Sequence, residues 1–134
     1  MTKLEEVEGI GPAYAEKLHA AGIASMEALL KAGATAKGRK ELAEASGIAG
    51  KLILEWVNHV DLFRVKGIGS EYSDLLEEAG VDTIPELAQR RPDNLHAKMV
   101  EVNAAKELVR QLPSLKMVES WVEQAKSLPR IIEY

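Results

Sequence analysis

Apolar side chains recur along most of the chain at three- and four-residue steps, the period of a helix that buries one face. The clearest stripe is Leu52, Ile53, Trp56, Val57 and Val60. A second is Val118, Trp121, Val122 and Ala125. Short polar or glycine breaks separate the stripes, and several carry helix-start chemistry. Ser25, Thr35, Thr83 and Ser114 each precede an apolar-periodic run and are placed to cap it. Pro12, Pro85 and Pro92 stand where a first-turn residue needs no N–H. These signals predict a lead-in helix over 2–7, then helices from Pro12 to about Ala21, from Ser25 to about Gly33, and from Thr35 to Gly47. A fifth runs from Gly50 toward Leu62 and Val65. Further helices are predicted over about 70–79, from Thr83, from Pro92 through Leu108 and Val109, and from Ser114 to Pro129. Strand-like alternation is absent, so the fold expected is all-α.

The chain repeats itself. Val-x-Gly-Ile-Gly occurs at 7–11 and again at 65–69. The same spacing of 58 residues relates Tyr14 to Tyr72, Leu18 to Leu76, Ala21-Gly22 to Ala79-Gly80, and Ser25 to Thr83. Agreement over so many positions signals an internal duplication. Trp56 and Trp121 read as the same position in the two copies, now 65 apart, so the second copy holds about seven extra residues. An apolar-Gly-apolar-Gly step between helical patterns marks a helix-hairpin-helix. The expected architecture is two diverged helix-hairpin-helix (SAM-like) repeats, 1–61 and 62–134, of about five short helices each, sharing the central Trp56 helix.

Composition narrows the class. The 134 residues are 46% hydrophobic with no cysteine, which allows a packed core and excludes disulfides and thiolate metal sites. No run approaches the ~18 apolar residues of a membrane span, and the first residues hold no apolar signal core; a soluble cytoplasmic protein is expected. Net charge is -4. Residues 1–61 carry seven Lys/Arg against nine Asp/Glu, and 62–134 carry ten against twelve. Neither half has the basic excess of a strong non-specific nucleic-acid binder.

With both halves laid out, the chain resembles the domain of unknown function 4332 family, a helix-hairpin-helix family. The residues that carry the likeness are Val-Glu-Gly-Ile-Gly-Pro-Ala-Tyr at 7–14, Lys-Gly-Arg-Lys-Glu-Leu-Ala at 37–43 and Ile-Leu-Glu-Trp-Val-Asn-His at 53–59. They continue with Gly-Ile-Gly-Ser-Glu-Tyr at 67–72 and Asn-Leu-His-Ala-Lys at 94–98. The resemblance implies the fold and is silent on activity.

The candidate site is the duplicated turn. Main-chain N–H groups opening the helix after each turn can hold a phosphate oxygen. Gly9, Ile10 and Gly11 form the first candidate, with Lys17 further along its helix. Lys66, Gly67, Ile68 and Gly69 form the second. DNA-binding relatives of the motif place Lys or Arg after the second glycine. Here Pro12 and Ala13 follow one turn, and Ser70 and Glu71 the other. Lys66, opposite Glu8 in the first copy, makes the second turn the better candidate. The alternative is a tight interhelical turn with Ile10 and Ile68 plugging the core.

Other constellations are weaker. Leu42-Ala43, Gly47-Ile48, Ile53 and Trp56 reproduce helix-turn-helix spacing, with Lys37, Arg39 and Lys40 upstream. The would-be recognition helix offers only Lys51, Glu55 and Asn58. Arg90, Arg91 and Lys98 form another basic cluster, read more simply as solvated surface charge. His19, His59 and His96 lack metal-ligand spacing, and Asp82 and Lys98 lack the surrounding motif of a catalytic residue. Trp56 and Trp121, flanked by glutamates, read as core. The resulting expectation is a non-catalytic module without cofactor or metal, gripping duplex DNA backbone through the turn amides. The rival expectation is a protein-interaction adaptor in which the turns are structural.

Overall fold

The computed structural model describes residues 3–7 and 9–133. Expectations that touch Thr2, Glu8 or Tyr134 therefore fall outside the described residues. Within them every regular element is helical: a single 3-10 turn at Leu4–Glu6, then α1 (Pro12–Ala20), α2 (Met26–Ala32), α3 (Ala36–Ser46), α4 (Gly50–Leu62), α5 (Ser70–Glu78), α6 (Ile84–Gln89), α7 (Pro92–Lys106) and α8 (Leu115–Ser127). The chain divides into two compact units. One is Met1–Asp61 together with Ile131–Tyr134, and the other is Leu62–Arg130.

The helix ends follow local chemistry. Ser25, Thr35, Thr83 and Ser114 each accept a hydrogen bond from the amide three residues on, at 3.0–3.2 Å. Each satisfies one donor that the first helical turn leaves open. At the far ends, α1 and α5 close alike. The amides of Ile23 and Val81 return to the carbonyls of Leu18 and Leu76, both at 2.8 Å, and those of Gly22 and Gly80 to His19 and Glu77. That reciprocal pair is the Schellman arrangement.

In the first unit, α3 packs against α1 and α2. Leu18, Leu29, Ile53, Trp56 and Val57 are among its fully buried apolar residues. In the second unit, α8 packs against α6 and α7, and α7 against α5. Its core gathers Leu75, Leu76, Leu87, Leu95, Met99 and Trp121.

Three expectations change. The lead-in helix is only the 3-10 turn, closed by Val7 N–H donating to Leu4 O at 3.0 Å. The helix begun at Pro92 stops at Lys106, short of Leu108 and Val109. Glu107 there takes a left-handed conformation (φ 50°), which a residue with a Cβ adopts only at some cost. Asn103 compensates from the last turn: its Oδ1 accepts from Val109 N at 3.0 Å and its Nδ2 donates to Val109 O at 3.2 Å. The chain is thereby drawn back and Val109 is buried. Finally, the segment after Pro129, which the pattern leaves unassigned, joins the first unit from Ile131 onward. Ile132 is buried, and Glu133 N donates to Ala34 O at 2.7 Å.

Candidate functional site

The two Val-x-Gly-Ile-Gly turns have one geometry. Gly9 and Gly67 sit at φ 93° and 99°, and the amides of Ile10 and Ile68 return to the carbonyls of Val7 and Val65 at 3.1 and 3.2 Å. Ile10 and Ile68 are buried, so each turn drives one aliphatic side chain into its unit's core. The first glycine of each turn also meets a tryptophan edge-on. A methyl group built on Gly9 would stand 3.2 Å from Trp56 Nε1, and one on Gly67 only 2.8 Å from Trp121 Nε1. Tyr14 lies against Trp56 with ring centroids 5.1 Å apart, and Tyr72 against Trp121 at 5.3 Å. Positive φ and indole packing therefore account for Gly9 and Gly67 without any ligand.

The second glycines are different. Gly11 and Gly69 are extended N-cap residues (φ -88° and -105°) and are exposed. A Cβ on either would meet nothing within 4 Å. Neither backbone conformation nor packing asks for glycine there. The helical ladder begins with Ala15 N donating to Gly11 O and Ser73 N to Gly69 O, both at 2.9 Å. Ahead of those bonds, no described residue accepts from the amides of Gly11, Ala13 and Tyr14, or from those of Gly69, Ser70, Glu71 and Tyr72. The first set has three donors because Pro12 has none; the second has four.

The charges around the turns are unequal. Lys17 reaches back over the Tyr14 ring at 5.7 Å, a cation–π contact. Lys66 is exposed, and among the described residues no carboxylate pairs with it. Its main chain is fixed from α8: Lys66 N donates to Gln124 Oε1 at 2.9 Å, and Gln124 Nε2 donates to Lys66 O at 3.2 Å. Glu71, in the first turn of α5, brings an opposing negative charge. It shares a cavity of about 610 Å³ with Asn103, Glu107 and Arg110. Arg110, exposed in the connection between α7 and α8, is a cation near this turn that the sequence pattern did not single out. The same connection is tied down by Tyr72 Oη donating to Gln111 O at 3.0 Å and His96 Nε2 donating to Pro113 O at 2.9 Å.

The other candidates are spent internally. Arg39 is 8% exposed and donates from Nη1 to Gly33 O and from Nη2 to Glu133 O, both at 2.9 Å. It cannot join Lys37 and Lys40 in a basic patch. Asn58 is buried on α4 and cannot read a base edge. Arg91 pairs with Asp93 at 3.3 Å and Lys98 with Glu101 at 3.7 Å. Asp82 shares a hydrogen bond with Glu86; that bond, partial burial and the neighbouring charge push its carboxyl up to about 6, while Glu86 is held below its ordinary value by the same bond. Thr83 Oγ1 donates to Glu86 Oε1 at 2.9 Å, so the pair completes the start of α6. No helix among the described residues is long and apolar enough to cross a membrane.

No curated protein and no solved structure matches the chain. The family described as "Domain of unknown function (DUF4332)" matches residues 8–128, which take in the glycines of both turns, both tyrosine–tryptophan pairs and the described helices α1 to α8. With nearly its whole length matched, the chain belongs to the domain of unknown function 4332 family.

Proposed function

We propose that the two units are diverged helix-hairpin-helix repeats and that the protein is a non-catalytic nucleic-acid-binding module. It contacts the phosphate backbone of duplex DNA through the open amides at the start of α5, with Lys66 supplying charge. The carrying observation is Gly69: exposed, ordinary in backbone angle and free of neighbours where a side chain would stand. Glycine is a serviceable N-cap in its own right, and without a side chain it also lets an outside group approach the main chain closely. Four open donors at a helix start favour an anion as that group. The Gln124 clamp fixes the main chain of Lys66, just ahead of the turn glycines, and leaves its exposed side chain free to reach an anion. Gly11 repeats the pattern with one donor fewer, so the first turn is the weaker contact. Such contacts position a protein on DNA without reading its sequence.

A second reading, a protein-interaction adaptor, draws on Glu71 beside the same amides and on the net charge of -4. Titration of a labelled duplex at about 50 mM and about 200 mM salt separates the two, because phosphate contacts release counterions and weaken steeply with salt. The nucleic-acid reading expects binding that falls at the higher salt. Absence of binding at the lower salt rejects it in favour of the adaptor.

A further inference from the structure

We propose that the cavity between the start of α5 and the connection after α7 binds a basic amino acid. Such a ligand carries two cationic groups and one carboxylate on an aliphatic stem. The proposal is independent of the nucleic-acid reading. The cavity holds about 610 Å³, within the range of ~300–1,000 Å³ usual for small-molecule sites. Three charged side chains line it: Glu71 from α5, with Glu107 and Arg110 from the connection. Among the described residues none of these three side chains has a hydrogen-bond or ion-pair partner, although opposite charges share one space.

Two observations set this place apart from ordinary surface charge. Its wall is fastened on both sides of Arg110: Asn103 binds the amide and carbonyl of Val109, and Tyr72 Oη donates to Gln111 O at 3.0 Å. Glu107, at φ 50°, is also the one non-glycine residue with positive φ among those described. A left-handed residue that closes a helix is ordinarily glycine. The exposed Glu107 side chain gains no partner within the fold in return for that cost. A carboxylate kept against backbone preference in the lining of a cavity points to a cation that it meets there.

Charge matching names the ligand. Arg110 suits a carboxylate, which a guanidinium can hold with two parallel bonds, and each glutamate suits a cationic nitrogen. Leu108, half-buried in the same lining, offers aliphatic surface to the stem. A diamine leaves Arg110 unmatched, and an amino acid with an apolar side chain leaves one glutamate unmatched. Lysine and arginine leave none.

Calorimetry on the full chain at low salt tests this with lysine, arginine, 1,5-diaminopentane and norleucine. Lysine is expected to bind at least about tenfold more tightly than the diamine or norleucine. Arg110→Gln should bring lysine down to the level of the diamine, and Glu71→Gln should bring it toward norleucine. Unchanged helical circular dichroism in each variant separates lost binding from lost fold. Glu107→Gly should lose lysine binding yet raise the denaturant midpoint, because glycine accepts the left-handed angle. A lowered midpoint would show Glu107 serving the fold and overturn its role. No binding of lysine or arginine, norleucine binding as well as lysine, or an undiminished lysine preference in Arg110→Gln overturns the site.

Discussion

Trp121 Nε1 and the α-carbon of Gly67 are packed so closely that a methyl group on the glycine would come within 2.8 Å of the indole nitrogen. Trp56 and Gly9 repeat the contact with slightly more room, at 3.2 Å. The duplicated glycine pair thus divides by role: the first member fits the tryptophan, and the second faces outward.

That division predicts opposite outcomes for two alanine variants. Gly67→Ala should lower stability by about 1–3 kcal/mol, from positive φ and overpacking together. Gly9→Ala should cost less. Gly69→Ala should cost under about 1 kcal/mol, as an ordinary N-cap replacement, yet weaken duplex binding. Chemical denaturation followed by circular dichroism measures the first property, and duplex titration the second. A Gly69→Ala protein that binds DNA like its parent removes the reason given for that glycine.

Lys66→Glu should abolish duplex binding while leaving the thermal midpoint nearly unchanged, since the side chain is exposed and Gln124 holds only its main chain. Arg110→Glu, in the cavity beside Glu71, should weaken binding less. Unaltered affinity in Lys66→Glu would move the site elsewhere.

Arg39→Ala should destabilise the protein by about 2–4 kcal/mol, because two carbonyls lose charge-assisted donors in a buried setting. Arg39→Lys should recover only part, since a single ammonium does not reproduce two guanidinium N–H groups aimed at separate carbonyls. Denaturant midpoints for the two variants check the order.

The Asp82 carboxyl is raised to about 6 from an ordinary 3.8, so between those values the folded chain holds a proton that the unfolded chain lacks. Its contribution to stability is full below about 3.8 and lost as pH rises through about 6. The lowered Glu86 works in the opposite sense, losing its contribution as pH falls. Asp82→Asn should therefore raise the thermal midpoint near pH ~8, with the gain shrinking as pH falls from about 6 toward about 3.8, below which the parent carboxyl is neutral folded and unfolded alike. A gain that does not vary with pH would contradict the shared-proton account.

Helix starts, the Gly47 stop and the burial of both tryptophans were legible because each depends on residues a few positions apart or on a strong periodic stripe. What the pattern missed depends on partners distant in sequence. Arg39 reads as surface charge until Glu133, 94 residues away, supplies a carbonyl. Gln124 reads as an exposed helix residue until it meets the main chain of Lys66, 58 residues earlier. Asn103 ended α7 against an apolar pattern that continues through Val109, because its two bonds to that residue outweigh less than one more turn of helix. Arg110 was passed over because it stands in the lengthened connection of the second copy, where the first offers no counterpart to compare.

The chain has two tryptophans, one in each unit, and each indole ring edge rests on the turn proposed to receive an anion. Nature has in effect fitted each turn with its own optical probe. Replacing one tryptophan by phenylalanine would leave the other's emission to report on a single turn, so engagement of the two could be followed separately and without an added dye.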